Sequence, residues 1–228
     1  SPAAIERAED RQQFQELLIK LNLKQPPNGT VRDVEEGIRL AKVFSYPIIA
    51  RPSYVLGGRD MRIVYHESEM IKYLKQSTQI SPKSPLLLDH FLEDAIEVDI
   101  DAICDGTDVL IGGILEHTEQ AGVHSGDSSC TFPPHSIDHA TQDEIRTQLA
   151  AIAKELGVIG LINAQFAIQK GEIYLLEVNP RASRTIPFIA KASGRPLAKI
   201  AARTMIGESL QQQGVHEELI PTYFAVKK

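Results

Sequence analysis

The sequence predicts an α+β fold, and three observations carry that prediction. Helical and strand patterns are interleaved up to about residue 92, strand patterns dominate from Ile96 onward, and a two-strand hairpin pattern surrounds Lys170-Gly171. No internal repeat interrupts that order, and the arrangement is not the strict strand–helix alternation of a doubly wound sheet.

The elements follow in turn. Phe14, Leu17, Leu18 and Leu21 lie on one stripe of a first helix, which breaks at Gln25-Pro26-Pro27-Asn28-Gly29. Thr30 with Asp33 three residues later resembles a helix N-terminus, continued by Val34, Ile38 and Ala41. Pro47 to Ala50, Met61 to Tyr65 and Leu86 to Leu88 are expected strands, with a helix over Glu69 to Gln76. Ile96 to Ala102 alternates apolar and polar residues, the period of a strand with one wet face, and Val109 to Glu116 follows as another strand. Glu119 to Ile137 is rich in Gly, Ser and Pro and is expected to be loop. Thr141 to Glu144 forms a capping box for a helix running to Gly157. Strands over Gly160–Gln169 and Glu172–Val178, then two short helices after Pro180, complete the order.

Composition narrows the function classes. Of 228 residues, 43% are hydrophobic and 24% charged, enough to bury a sizeable core. A net charge of −6 argues against a nucleic-acid binder. No apolar run is long enough to span a bilayer, and residues 1–7 lack a signal-peptide core. The chain lacks an initiator Met and is expected to be cut from something longer or processed. Cys104 and Cys130 lack zinc spacing and are expected to be reduced thiols in a cytoplasmic protein. None of the histidines at 66, 90, 117, 135, 139 and 216 has metal-binding spacing.

The hairpin is the most informative segment. With Gly171 at its centre, Gln165 falls opposite Glu177 and Asn163 opposite Asn179. Ile162, Ala164, Phe166, Ile168, Tyr174, Leu176 and Val178 then form the core face. The odd face gathers one carboxylate and several carboxamides, oxygen donors that suit a hard cation such as Mg²⁺. A solvated polar face would show the same pattern. Arg51 to Arg59 holds Gly57-Gly58 between arginines, as a phosphate loop or as a plain turn, without a Walker A ending. Gly122 to Asp127 is a second small-residue loop, either a ligand contact or an Ω-loop. Arg181 and Arg184 lie just beyond the carboxylate, and most of Glu97, Asp99 and Asp101 are expected to be solvated.

Five longer motifs carry a resemblance. They are Glu9-Asp10-Arg11, Arg51-Pro52-Ser53-Tyr54-Val55-Leu56-Gly57-Gly58-Arg59, Leu88-Asp89-His90-Phe91-Leu92, the stretch Glu116 to Asp127, and Glu177-Val178-Asn179-Pro180-Arg181-Ala182-Ser183-Arg184. Together they resemble the ATP-grasp region of the carbamoyl phosphate synthetase large subunit, across almost the whole chain. The Leu56-Gly57-Gly58-Arg59 loop and the Glu119 to Gly126 stretch are closer to its second, carbamate-phosphorylating half. Asp60 and Ala164 depart from the family pattern, and the family chain is far longer.

The resemblance implies two α+β lobes with nucleotide between them: an N-terminal lobe at 1–92, a C-terminal lobe at 93–207 and a connector at 208–228. It implies that Arg51 contacts phosphate, that Asp89, His90 and Leu92 line the adenine slot, and that Glu97 holds the ribose. Gly122, Val123, His124 and Ser125 would form the loop near the ribose and a K⁺ site, with Glu119 and Ser128 nearby. Gln165, Glu177 and Asn179 would ligate two Mg²⁺ or Mn²⁺ ions per ATP, with Arg184 and Arg181 facing the transferred phosphoryl group. The implied reaction phosphorylates carbamate, derived from bicarbonate, in arginine and pyrimidine biosynthesis. The rest of the large subunit and a glutamine amidotransferase small subunit are the implied partners. Another ATP-grasp carboxylate-activating ligase, or a nucleotide-binding module without turnover, are the alternatives.

Overall fold

The computed structural model describes residues 1–52, 61–80, 85–119, 121 and 128–228. The chain divides into two compact units, one of residues 25–94 and one of residues 1–24 with 95–228. The expected first lobe began at residue 1. By packing, however, residues 1–24 belong to the larger unit, because Ala4, Leu17 and Leu18 are buried in its core.

In the smaller unit, β1 (Asn28–Val31), β2 (Ile48–Pro52), β3 (Arg62–Val64) and β4 (Leu86–His90) form one sheet in the order β1-β4-β2-β3. Every pairing in it is antiparallel. Helices α3 (Val34–Phe44) and α4 (Glu67–Ile80) cover it, burying Ala41, Met70 and Leu74 against Val31, Ile48 and Leu88. Thr30 lies in β1 rather than at a helix start. The capping box sits three residues later: Asp33 accepts from the Glu36 amide at 2.8 Å, and Glu36 accepts from the Arg32 amide at 2.9 Å.

The larger unit is built on a six-stranded sheet ordered β10-β7-β6-β5-β8-β9. Its strands are β5 (Ile96–Asp105), β6 (Val109–His117), β7 (Cys130–Phe132), β8 (Ile159–Gln169), β9 (Glu172–Asn179) and β10 (Ala225–Lys227), all paired antiparallel. Strand β7 falls where loop was expected, too short to show a period in sequence. Helices α1 (Pro2–Glu9), α2 (Arg11–Lys20) and α5 (His139–Glu155) pack on one face, over Val98, Ile100, Ala102 and Phe166. Helices α6 (Ile186–Ser193) and α7 (Leu197–Met205) pack on the other, over Ile103, Leu115 and Phe132. Helix α5 starts before the expected box, because Asp138 caps it by accepting from the Thr141 amide at 2.8 Å. A side chain at Gly113 would meet the Phe132 ring at 2.7 Å, so glycine there lets the sheet lie close beneath α6.

Strand β5 corrects the reading of a wet face. It is buried on both sides along nearly its whole length, polar residues included. The β8–β9 hairpin corrects a second detail. Lys170 and Gly171 both have positive φ, 52° and 81°, forming a two-residue turn that pairs Ile168 with Ile173. A bulge between Gln165 and Phe166 then adds one residue to β9. Leu175, rather than Tyr174 or Leu176, is therefore the buried core residue in that half of the strand. Beyond the bulge Val178 faces the core as expected, and the polar pairs Gln165–Glu177 and Asn163–Asn179 fall as expected.

Leu175→Ala should therefore cost about 2–5 kcal/mol in urea denaturation, and Leu176→Ala less than half as much. Equal losses would contradict the register set by the two-residue Lys170-Gly171 turn, which buries Leu175 more deeply than Leu176.

Candidate functional site

The bulge decides which side chains share the polar end of the larger sheet. Strand β5 contributes Glu97, Asp99 and Asp101 at alternate positions, opposite Ala167, Gln165 and Asn163 of β8. Strand β9 adds Glu177 and Asn179 at the next position across. Far from being solvated, Glu97, Asp99 and Asp101 are only 7%, 4% and 0% exposed. Burying three carboxylates costs several kcal/mol each unless their lone pairs find donors.

The donors are present. Asn163 Nδ2 lies 3.4 Å from Asp99 and 3.3 Å from Asp101, and Gln165 Nε2 lies 3.3 Å from Glu97. Asn179 Nδ2 donates to Glu177 Oε1 at 3.0 Å. Arg181 donates to Asn179 Oδ1 at 3.1 Å and, like Arg184, is exposed just past the strand end.

His117, from β6, supplies a cationic group buried among these acids. Its Nε2 lies 2.8 Å from Asp99 and its Nδ1 3.7 Å from Glu97, so both ring nitrogens face carboxylates. Burial alone would lower its pKa, but the hydrogen bonds to Asp99 and Cys130 and the Asp99 charge raise it to about 10. The ligand atoms of Asp99, His117 and Cys130 lie within 4.8 Å of one another, a grouping that sequence spacing missed because three strands supply it. An imidazolium between two carboxylates has no lone pair for a cation, and the arrangement is an ion-pair bridge. Asp101 differs from its neighbours. Burial pushes its pKa up to about 7, against hydrogen bonds from Ser183, Thr185 and Asn163 that lower it.

Glu119 accepts from Ser128 Oγ at 2.9 Å and from the Ser129 amide at 2.7 Å, which holds its pKa below the usual range. Gly122, Val123, His124 and Ser125 lie outside the described residues, as do residues 53–60 with Gly57-Gly58. In the smaller unit, Arg51 on β2 pairs with Asp89 Oδ2 at 3.3 Å, across the strand pairing of β2 and β4. His90 ends β4, with Nδ1 3.4 Å from the Ser45 carbonyl, and Leu92 is buried just beyond it. Cys104 and Cys130 are free and buried, and no helix among the described residues is long and apolar enough to cross a membrane.

The His117 bridge has a pH signature. The folded pKa is raised above the ordinary value of about 6.5, so the stabilisation is complete below that pH. It is lost as the pH rises through about 10, where the folded imidazolium also gives up its proton. His117→Gln should therefore destabilise the chain more at pH 6 than at pH 10 in urea titrations. An equal penalty at both would indicate a neutral imidazole.

Comparison with known proteins places the chain in a family and a fold. The chain is 59% identical over 228 residues to the carbamoyl phosphate synthase large chain of Pasteurella multocida, and 57% identical to that of Pseudomonas putida. It covers 21% of the length of each, so it spans about a fifth of these curated relatives. Its fold matches a biotin carboxylase–β,γ-ATP complex from Campylobacter jejuni with a TM-score of 0.82 at 18% identity, covering 99% of this chain and 51% of that one. The biotin carboxylase domain of a 2-oxoglutarate carboxylase from Hydrogenobacter thermophilus, in complex with MgADP, ADP and bicarbonate, matches with a TM-score of 0.80 at 20% identity. That match covers 97% of this chain and 50% of the other. Both likenesses establish the ATP-grasp fold. Residues 10–213 match the family described as the carbamoyl-phosphate synthase L chain, ATP binding domain, and the chain belongs to that family.

Proposed function

We propose that this chain phosphorylates carbamate with ATP, as the ATP-grasp region of the second half of a carbamoyl phosphate synthase large chain. The observation that carries the reading is the joining of Gln165, Glu177 and Asn179 on one sheet face, with Arg181 and Arg184 at its edge. The donors at these positions are oxygens, and only one of the three residues is charged. Such a set fits Mg²⁺ or Mn²⁺ sharing coordination with phosphate and water. Bound there, the metal would neutralise phosphate charge as the γ-phosphoryl group moves. The assignment to the second half rests on the Leu56-Gly57-Gly58-Arg59 loop and the Glu119 to Gly126 stretch.

The chain's own residues bind and orient. Arg51 is proposed to meet nucleotide phosphate, and the backbone from Asp89 to Leu92 to read the adenine edge. Glu97, held by Gln165 and near His117, is proposed to hold the ribose hydroxyls. Gly122, Val123, His124 and Ser125 are proposed to form the loop near the ribose and a K⁺ site, with Glu119 and Ser128 nearby. Arg184 and Arg181 would take up charge on the transferred group, since phosphoryl transfer depends on positioning and charge neutralisation. The proposal extends to the rest of a large subunit and a glutamine amidotransferase small subunit as partners, in the cytoplasm.

Two outcomes are expected. Glu177→Gln should lower ATP formation from ADP and carbamoyl phosphate by at least about a hundredfold at saturating Mg²⁺, with the fold intact. Gln165→Ala should lower it less, because water replaces a neutral ligand more easily. Near wild-type turnover in Glu177→Gln, measured by a coupled ATP assay, would exclude this face. By calorimetry, Glu97→Ala should weaken ATP binding by about 1.5–3 kcal/mol and His90→Ala by about 1 kcal/mol or less. The reverse order would misplace the nucleotide slot.

A further inference from the structure

Asp101 has no role in the site proposed above, yet it is the most completely buried carboxylate on that face. Its Oδ1 lies 3.3 Å from Asn163 Nδ2, and its other oxygen accepts a hydrogen bond from the Thr185 hydroxyl. Thr185 is 5% exposed and occupies the N-cap position of α6, but its side chain makes no capping bond. The capping falls to Ser183, whose Oγ accepts from the Thr185 amide at 3.2 Å and the Ile186 amide at 3.3 Å. Ser183 Oγ also lies 2.6 Å from Thr185 Oγ1. The Thr185 hydroxyl is thus spent across the sheet instead of on its own helix.

This geometry fixes a particular segment. Asn179 is held by its pairing with Asn163, and Thr185 is held by Asp101, which itself bonds Asn163. Arg181 and Arg184 lie between those two anchors, both exposed, and Arg184 directly precedes Thr185. Ile186 and Ile189 already seat α6 in the apolar core, so the helix does not need a buried carboxylate merely to dock. A buried polar pair is commonly no more stabilising than an apolar pair of the same shape. What it adds is direction: apolar packing tolerates sliding, whereas a hydrogen bond sets distance and angle.

We propose that Asp101 and Thr185 are positioning residues, a tether that sets the backbone of the arginine segment so that Arg184 meets the transferred phosphoryl group. The inference rests on reading this face as the phosphoryl-transfer site. Misplacing such a group by about 1 Å can cost about a hundredfold in rate, which makes the tether worth its buried charge.

The test uses the intact polypeptide that carries this sequence, following ATP formation from ADP and carbamoyl phosphate, MgADP affinity by calorimetry, and thermal melting. Thr185→Val keeps the shape but removes the hydroxyl. It should lower kcat at least about tenfold while leaving the MgADP Kd within about threefold, and Thr185→Ser should restore most of the rate. In an Arg184→Ala background, Thr185→Val should cost less than about twofold further, because the tether acts through that arginine. Should Thr185→Val fold poorly, the double replacement Asp101→Leu with Thr185→Val removes the buried charge along with its partner. That variant should melt like wild type and still show the loss of kcat. Wild-type kcat in either variant, or a Thr185 penalty undiminished by Arg184→Ala, would overturn the tether and leave the site intact. A wild-type polypeptide that makes no ATP at all would instead overturn the reading of the face, and the tether's catalytic role with it.

Discussion

The larger unit depends on keeping three carboxylates of one strand out of water. Glu97, Asp99 and Asp101 alternate along β5 with residues that build the core, so the strand cannot turn its acids outward without exposing Val98, Ile100 and Ala102. The neighbouring strands must then supply donors at matching positions. Strand β8 supplies Asn163 and Gln165, β6 supplies His117, and the start of α6 supplies Thr185. Asn163 and His117 would be poor choices for a plain buried sheet. Asn is unfavourable in strands, and a buried imidazole needs partners on both nitrogens.

That compensation is incomplete by design of the residue types. One imidazolium faces two of the carboxylates, while Glu177 is exposed on β9 and accepts from the Asn179 amide. Oxygen donors of this kind suit a hard divalent cation, which is the ground of the proposed metal–nucleotide site. Arg181 is engaged with Asn179 and the Ala182 carbonyl, and Thr185 occupies Asp101.

Much of this was legible in the sequence, for identifiable reasons. The Gln165–Glu177 and Asn163–Asn179 pairs follow from hairpin arithmetic, although two errors cancelled in reaching them. The Lys170-Gly171 turn sits half a residue from the assumed centre, and the bulge opposite Gln165 restores the count. The half-residue offset of the turn puts Leu175 on the core face in place of the expected Tyr174 and Leu176. A bulge leaves no residue signature here, since Leu175 and Leu176 are alike. The alternation of β5 was read correctly, but its wet side is buried, because periodicity reports a difference between faces and not what covers them. The Asp99–His117–Cys130 grouping and the Asp101–Thr185 bond join strands and helix ends far apart in sequence, beyond the reach of spacing rules. The family resemblance implies residue roles that spacing alone does not.

The central claim is that the polar odd face of the β8–β9 hairpin receives a metal–nucleotide. Its most direct measurement is paramagnetic broadening by Mn²⁺–ADP in nuclear magnetic resonance spectra of the labelled chain. The account predicts that the side-chain amide resonances of Gln165 and Asn179 broaden first and Asn163 next, while the amides of α5 on the opposite face stay sharp. Unbroadened Gln165 and Asn179 resonances, with broadening centred elsewhere, would contradict it.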